Sequence, residues 1–153
     1  MIRTMREIKF RGKALNGEKW YYGSLIDYGD PTFCDIVRFN DDNEAIHEYV
    51  DINTVGQFTG LHDLHGKEIY EGDILKDCWA DGSVGIELVG FENGSFGSMD
   101  NYAYQSLQKG CKYPRFNHKY LYCMFDGTAK NFISVEVIGN VHDNPELLKG
   151  GEK

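Results

Sequence analysis

The stretch ILKDCWADGSVGIELVGFENGSFGSM, residues 74–99, consists of three apolar runs joined by two turn dipeptides. The runs are the strand candidates 74–79, 84–91 and 95–99. Asp81-Gly82 and Asn93-Gly94 separate them, and both dipeptides accept the positive φ angles that close β-hairpins. Short strands punctuated in this way are typical of a small barrel or roll, so the stretch predicts a β fold.

Residues 1–60 show the same pattern of short apolar runs separated by turn residues and are predicted to form an N-terminal β subdomain. The strand candidates there are 7–11, 20–26, 33–39 and 45–52. Ile8 and Phe10 alternate with polar neighbours, which is the period-two pattern of a half-buried strand. Asn16-Gly17 and the turn formers at 40–43 close two hairpins, so a meander is expected. Residues 53–60 are interpreted as the connection to the second half.

Residues 61–149 are predicted to form a second β subdomain. Its further strand candidates are 119–125 and 132–138. Residues 98–120 are interpreted as an excursion loop without an assigned role. Within it, Tyr104, Leu107 and Gln108 would share one face of a short helical segment.

The C-terminal end combines a helical turn with a tail. Asn144 is placed to cap the turn, Pro145 to occupy its first position, and Glu146 to face the positive end of the helix dipole. The tail, residues 150–153, is expected to be loose.

The composition supports a folded, mostly β chain. Hydrophobic residues make up 41% of the 153 residues and charged residues 26%, a mixture that can bury a core and excludes disorder throughout. Ten Tyr, nine Phe and 18 Gly against three Pro favour strands and tight turns. No stretch reaches the roughly 20 apolar residues of a membrane helix, so no membrane partner is expected.

Charge and cysteine use indicate the compartment. The net charge of −8 disfavours non-specific binding to nucleic acid and anionic membranes, because it repels phosphate groups. The first six residues are followed by no apolar core of a signal peptide, and the four cysteines form no C-x-x-C pair. We therefore expect reduced thiols and a cytoplasmic location.

His62-Asp63-Leu64-His65 places two imidazoles and a carboxylate within one turn, a set of donors that suits zinc or nickel. The spacing is not H-E-x-x-H, and Cys78 or His142 would have to complete the site from a distance. A solvated turn before Gly66 is the favoured interpretation. No metal or other cofactor is predicted.

Cys111 or Cys123 with His118 would supply a nucleophile and a base for catalysis. No oxyanion hole or orienting third group accompanies them, so neither an enzymatic activity nor a catalytic residue is predicted. Acidic pairs, among them Asp77 with Asp81, are interpreted as surface turns, which are common in β proteins.

The run 109–122 is basic and aromatic and contains no acidic residue. Exposed aromatic rings can stack on bases while neighbouring cations contact phosphates, so the run is a candidate nucleic-acid site. Its proposed contact residues are Lys109, Lys112, Tyr113, Arg115, Phe116 and Lys119. The favoured alternative is that these aromatic residues belong to the core or to an interface, with the lysine stems lying across apolar surface.

Motifs along nearly the whole chain resemble YopX proteins of phages and prophages. In order, they are REIKFR (6–11), WYYGSL (20–25), TVGQFTGL (54–61), GKEIYEGDI (66–74) and VIGNVHDNPELL (137–148). The resemblance implies a phage or prophage origin, hence a bacterial host cytoplasm, and an SH3-like small barrel in residues 61–149 after the meander. It implies no activity and no catalytic residue. The segment 98–120 matches no motif of the family.

Together these features predict a non-enzymatic protein-binding or assembly module with a host or phage protein as a partner. The alternative is a nucleic-acid-binding accessory protein that uses residues 109–122.

Charge segregation within residues 1–60 also predicts self-association. Cations crowd the start at Arg3, Arg6, Lys9, Arg11, Lys13 and Lys19. Residues 27–51 carry eight acids against Arg38 alone. The two segments could lie side by side within one subunit. However, edge strands and the aromatic residues Trp20, Tyr21, Tyr22 and Phe33 favour a homo-oligomer of cyclic symmetry, built through residues before Gly60.

Overall fold

A computed structural model describes residues 5–111 and 116–149 of the chain. Within these residues the chain forms ten β-strands, two α-helices and two 3₁₀ turns. The predicted mostly β fold class, with little helix, is confirmed. The chain divides into two compact units, Met1–Gly60 and Leu61–Lys153, which are called unit 1 and unit 2 below.

Unit 1 is built from a strand meander. Its elements are β1 (Phe10–Lys13), β2 (Trp20–Ile26), β3 (Phe33–Phe39), β4 (Ala45–Asp51), a 3₁₀ turn (Ile52–Thr54) and β5 (Gly56–His62), which continues past the unit boundary. The strands are antiparallel in the order β4-β3-β2-β1-β5, and both predicted hairpins are present. Residues 53–60, interpreted as the connection between the halves, lead up to the unit boundary after Gly60, but they also contain a strand that was not predicted, since Gly56 and Gln57 pair with Arg11 and Phe10 of β1.

One face of this sheet forms the core of unit 1. Ile36 and Cys34 alternate on β3 and therefore point to the same face, where Cys34 stands opposite Val50 of β4. All three side chains are buried. The partly buried residues that pack against them are Phe10, Tyr21, Leu25, Ile52 and Val55. Removing this apolar surface from water stabilises the meander at about 25 cal/mol per Å².

Unit 2 contains a second antiparallel sheet, in the order β10-β7-β8-β9. The elements after β5 are β6 (Glu68–Tyr70), β7 (Asp73–Trp79), β8 (Val84–Glu92), β9 (Ser95–Asp100), α1 (Asn101–Gln108), α2 (His118–Cys123), β10 (Phe132–Asn140) and a 3₁₀ turn (Pro145–Leu148). The predicted meander of residues 74–99 is β7-β8-β9. Gly82, Asn93 and Gly94 adopt φ angles of 84°, 53° and 79°, as the turn dipeptides require.

The sheet of unit 2 is buried on both faces. Leu75 belongs to one apolar cluster, which Leu121 of α2 covers. Ile74 and Leu88 belong to the other, which Leu148 of the C-terminal 3₁₀ turn covers. A strand covered on both sides reads as a continuous apolar run rather than a strict alternation. This arrangement is consistent with a barrel-like fold.

Helix α2 corrects the strand predicted at 119–125. The Asn117 side chain accepts a hydrogen bond from the backbone N–H of Tyr120 at 2.9 Å and so caps the helix. Leu121 and Met124, three residues apart, then face the same apolar cluster. The β propensity of the aromatic residues in this segment is outweighed by the cap and by this packing.

The other helical predictions have mixed outcomes. The helical segment expected around Tyr104 is α1, which Asp100 caps by accepting from the N–H of Ala103 at 2.7 Å. The turn expected after Asn144 is also present, but the Asn144 side chain does not cap it. That side chain instead accepts from the N–H of Asn140 at 3.4 Å.

Among the described residues, no helix is long and apolar enough to span a membrane.

Candidate functional site

The face of the unit 1 sheet opposite its core carries large side chains that are 37% to 65% exposed. This aromatic face comprises Tyr22, Ile26, Tyr28, Phe39 and Tyr49. The strand register brings them together, because Asp35 stands opposite both Ile26 and Tyr49. Tyr22 lies four residues before Ile26 on β2, and Phe39 lies four residues after Asp35 on β3, so both stay on this face, at the same end of the antiparallel pair.

Asp35 lies fully buried beneath this face. Its Oδ2 accepts a hydrogen bond from the Tyr28 hydroxyl at 3.2 Å and lies 2.6 Å from Nδ1 of His47. Burial raises the pKa of Tyr28, and the hydrogen bond to Asp35 adds to the rise. Within the described ranges, the other carboxylate oxygen, Oδ1, has no hydrogen-bond partner. Tyr28 and His47 are therefore held in place by an acid that has capacity for one more donor.

Some of the aromatic side chains that the sequence indicated as an interface instead make contacts within unit 1. Tyr21 packs against the core. Trp20 lies under the guanidinium of Arg11, 4.8 Å from the ring centroid, and Arg11 is 5% exposed. Phe33 packs edge-on against Tyr49 at a centroid distance of 5.4 Å. Among the exposed rings, Tyr28 and Tyr49 therefore pack against Phe33, whereas Tyr21 belongs to the core on the other face.

The two turns at one end of this sheet differ in charge, one being neutral overall and the other acidic. In the register of β2 with β3, Ser24 stands opposite Val37, so residue 20 is level with residue 41. The β1–β2 turn therefore lies at the same end as the β3–β4 turn. The first carries the exposed pair Glu18 and Lys19, whose charges cancel, and the second carries the exposed acids Asp41, Asp42 and Glu44.

A second feature of interest is a cavity of about 290 Å³ in unit 2, the acidic cavity. The residues that define it here are Glu87, Ser98, Asp100, Asn117 and Tyr120. Asp77 stands opposite Gly85 and Glu87 opposite Leu75, so both acids share one face of the sheet as diagonal neighbours. A Cβ atom at position 85 would overlap the Asp77 carboxylate, so the glycine makes room for it.

Asp77 is fully buried and is held by two aromatic donors. Its Oδ2 accepts from the Tyr120 hydroxyl at 2.8 Å, and its Oδ1 accepts from the indole N–H of Trp79 at 3.2 Å. Burial raises the pKa of Tyr120 strongly, and the hydrogen bond to Asp77 and its charge add to the rise. The interpretation of Asp77 as part of a surface turn was therefore wrong.

Glu87 is 5% exposed and has a pKa raised to about 8. Burial is the largest cause, and the charges of Asp77 and Asp100 add to it. The Ser98 hydroxyl lies close enough to oppose this rise, but its oxygen has no partner in hydrogen-bond geometry. At pH 7 the Glu87 carboxyl is therefore mostly protonated and can donate as well as accept a hydrogen bond.

We expect Tyr120→Phe to lower the free energy of unfolding by about 1–3 kcal/mol, because it leaves the buried Asp77 carboxylate short of a donor. Tyr122→Phe on the same helix is the matched control, since the Tyr122 hydroxyl has no hydrogen bond to any residue in the ranges 5–111 and 116–149. Urea denaturation followed by circular dichroism measures both. Equal effects of the two substitutions would contradict a structural role for the hydrogen bond between Tyr120 and Asp77.

In the turn 62–65, which was considered as a metal site, the Asp63 carboxylate binds backbone N–H groups. Asp63 is buried, and its two oxygens accept from three backbone N–H groups, of His65 at 2.8 Å, Lys67 at 2.9 Å and Val137 at 3.0 Å. His65 lies 3.4 Å from the Glu136 carboxylate. In the described ranges, no group of three or more His, Cys, Asp or Glu residues could hold a metal ion.

Two of the residues considered for thiol chemistry have backbone carbonyl oxygens as neighbours. Cys111 is exposed. Nδ1 of His118 is 2.9 Å from the carbonyl oxygen of Phe96. Cys123 donates to the carbonyl oxygen of Tyr120 at 3.0 Å, and burial raises its pKa. A raised thiol pKa opposes thiolate formation at neutral pH.

The candidate nucleic-acid residues are only partly described. Lys112, Tyr113 and Arg115 lie outside the described residues. Lys109 and Lys119 are exposed, at the end of α1 and on α2. Phe116 is half-buried and packs with the cluster around Ile74 and Leu88, where its ring lies over Gly90. Nucleic-acid binding by this segment stays a prediction.

Sequence reasoning did not single out Glu87 as a site residue. The available signal is an acid inside the apolar run 84–91, at a position where a covered strand would normally carry an apolar side chain. Its partners come from distant positions: Asp77 is ten residues upstream and Tyr120 lies on α2. No local spacing reveals such a set.

Comparisons with known proteins support the fold and the family. The crystal structure of protein EF1440 from Enterococcus faecalis matches with a TM-score of 0.50 and 20% identity, over 94% of this chain and 99% of that chain. No curated protein matches. The family model described as YopX protein matches residues 9–149. Because that match covers nearly the whole chain, the chain belongs to the YopX family.

Proposed function

We propose that this chain is a non-enzymatic protein-binding module that assembles with a second copy of itself through the aromatic face of unit 1. The observation that carries the proposal is the set of exposed large side chains on that face. Monomeric proteins seldom expose a contiguous apolar patch without a binding role, and aromatic residues are enriched in interfaces. The contacts of Phe33 with Tyr28 and Tyr49 hold two of these rings in place, which lowers the entropy lost when the face docks.

The strand register favours a second copy as the partner, because it can bring Lys19, which stands beside Glu18, to the acidic turn of the other copy. A two-fold axis parallel to the strands would place the β1 side of one sheet over the β4 side of the other. Lys19 of one copy would then face Asp41, Asp42 and Glu44 of the other, because both turns lie at the same end of the sheet. Two-fold symmetry is the commonest arrangement of homo-oligomers, and it repeats this contact twice.

Light scattering of the full chain across a dilution series tests the assembly. We expect a mass near twice 17.5 kDa at high concentration that falls towards 17.5 kDa on dilution. Raising the salt concentration should favour dissociation, because the contacts between turns are solvent-exposed charges. A mass of 17.5 kDa at every concentration and at low salt would contradict self-association.

The variant Tyr49→Lys locates the interface. Tyr49 is 55% exposed, so the substitution should leave the fold intact while placing a charge in the contact. We expect the dissociation constant to rise about 30-fold, which corresponds to a hot-spot loss of about 2 kcal/mol. Tyr102→Lys on α1 is the control, because Tyr102 is 75% exposed and lies in unit 2. An unchanged dissociation constant for Tyr49→Lys would exclude the aromatic face.

A further inference from the structure

The acidic cavity of unit 2 contains polar groups whose bonding capacity is not used within the chain. Glu87 is 5% exposed and Ser98 is 1% exposed, and both line the cavity. The Ser98 hydroxyl oxygen lies near Glu87, but no group in the described part of the chain is in hydrogen-bond geometry with it. Buried polar groups are nearly always paired in native proteins, so each exception calls for an explanation. A ligand that binds in the cavity would explain the unpaired Ser98 hydroxyl.

The remaining polar groups of the cavity are already occupied, or are acids. The Tyr120 hydroxyl donates to Asp77, and the Asn117 side-chain oxygen accepts from the N–H of Tyr120. Asp100 uses Oδ1 to accept from the N–H of Ala103. Among the described residues that line the cavity, two are acids and none is a cation. The field inside the cavity therefore favours a positively charged ligand.

We propose that the acidic cavity binds an ammonium group, carried either by a small free amine or by a lysine side chain of another protein. An ammonium group has three N–H donors. The Glu87 carboxylate, the Asp100 carboxylate and the Ser98 hydroxyl offer it three acceptors. A metal ion is disfavoured, because no group of three or more His, Cys, Asp or Glu residues that could hold one occurs in the described ranges.

Binding would change the protonation of Glu87. Before binding, the carboxyl carries a proton over most of the neutral range, because burial raises its pKa to about 8. The charged and titratable groups around it are Asp77 on β7, Asp100 at the end of β9 and Tyr120 on α2. When the ammonium group enters, Glu87 releases its proton to solvent and becomes a carboxylate. The ammonium group keeps all its protons, since its own pKa is about 10.4.

This exchange gives the binding a characteristic pH dependence. Each unit of pH below the Glu87 pKa makes deprotonation tenfold less favourable. The affinity for an ammonium ligand should therefore rise about tenfold per pH unit from pH 6 to pH 8 and then level off. Up to about one proton per ligand should be released at pH 7.

Isothermal titration calorimetry of the full chain tests the proposal. The probes are n-butylammonium, which represents a free amine, Nα-acetyl-lysine amide, which represents a lysine side chain, and neutral 1-butanol. Titrations at pH 6, 7 and 8, in two buffers of different ionisation enthalpy, report affinity and proton release together. We expect ammonium binding that strengthens with pH and no binding of 1-butanol. Tighter binding of the lysine amide supports a protein ligand, and tighter binding of n-butylammonium supports a free amine. Failure of both amines to bind, or equal binding of 1-butanol, overturns the proposal.

Two variants connect the binding to named residues. Glu87→Gln mimics the protonated side chain, so it should retain the fold, weaken ammonium binding at pH 8 at least about tenfold and abolish the proton release. Ser98→Ala should weaken binding and leave the proton release in place. Asp81→Asn, in an exposed turn outside the cavity, is the control and should change neither quantity. Unchanged pH dependence in Glu87→Gln, with its circular dichroism spectrum intact, overturns the proposal.

Discussion

Replacing Glu87 by Gln should raise the free energy of unfolding at pH 7 by about 3 kcal/mol. The folded-state pKa of this carboxyl is about 8, whereas the ordinary pKa of a glutamate side chain is 4.5, and burial is the main cause of the difference. Between these two values the folded chain binds a proton that the unfolded chain does not. Stability therefore decreases as pH rises through this window, by about 1.4 kcal/mol per pH unit.

Glutamine removes this dependence, because it keeps the shape and hydrogen-bonding capacity of the protonated acid and cannot ionise. The difference between variant and parent should be near zero at pH 4 and should grow until pH 8. Urea denaturation at four pH values measures it. Glu146→Gln, at an exposed position in the C-terminal 3₁₀ turn, is the control and should show no such slope. A difference that is independent of pH would contradict the burial of a neutral carboxyl at position 87.

The second large effect is expected for Asp63→Ala, which should lower the free energy of unfolding by about 3–5 kcal/mol. Hydrogen bonds to a charged acceptor contribute about 1.5–3 kcal/mol each, and their contributions are not additive. Three backbone N–H groups would lose their acceptor, including that of Val137 on β10. The Asp63 carboxylate thus joins the turn at 63–67 to the sheet of unit 2. The alanine variant lacks the hydrogen bonds that connect the turn with β10.

The same carboxylate should contribute to stability towards acid. Burial acts to raise the pKa of Asp63, but the three backbone hydrogen bonds and the nearby His65 outweigh it, so the pKa is lowered overall. A lowered pKa adds stability above the unfolded value of 3.8, and this is lost as pH falls through the folded value. Parent and variant should therefore converge in stability at the lowest pH.

Asp81→Ala is the matched control for this prediction. Asp81 is exposed and accepts from the N–H of Ser83 at 2.9 Å, so its loss should cost about 1 kcal/mol or less. Tryptophan fluorescence reports on the unfolding of each unit in such an experiment, since Trp79 lies in unit 2 and Trp20 in unit 1. Equal destabilisation by Asp63→Ala and Asp81→Ala would contradict the proposed role of Asp63.

The turns and most strands of this chain could be predicted from sequence, because their causes are local. Asp81-Gly82 and Asn93-Gly94 determine where hairpins close, since these residue types tolerate positive φ. Apolar runs between such turns then have few options besides strands. Even so, β5 was missed, because its glycines resemble a connection and its pairing with β1 is a non-local contact.

Helix α2 and the two candidate sites could not be predicted, because they depend on contacts between distant residues. The aromatic segment after Asn117 has β propensity, and a cap and an apolar cluster outweigh it. Which aromatic rings of unit 1 are exposed depends on the register of three strands, since a shift of one residue reverses both faces.

What the sequence determined by itself is thus the family, the mostly β class and the position of the hairpins, all of which follow from ordered motifs and from short-range backbone preferences. The tertiary structure decided that Asp77, Glu87 and Tyr120 meet in one cavity and that Asp63 joins a turn to β10. It also decided that Glu87 holds a proton near pH 7. The physical reason is that burial and neighbouring charge shift the ionisation of a carboxyl, and strand register and packing alone determine both.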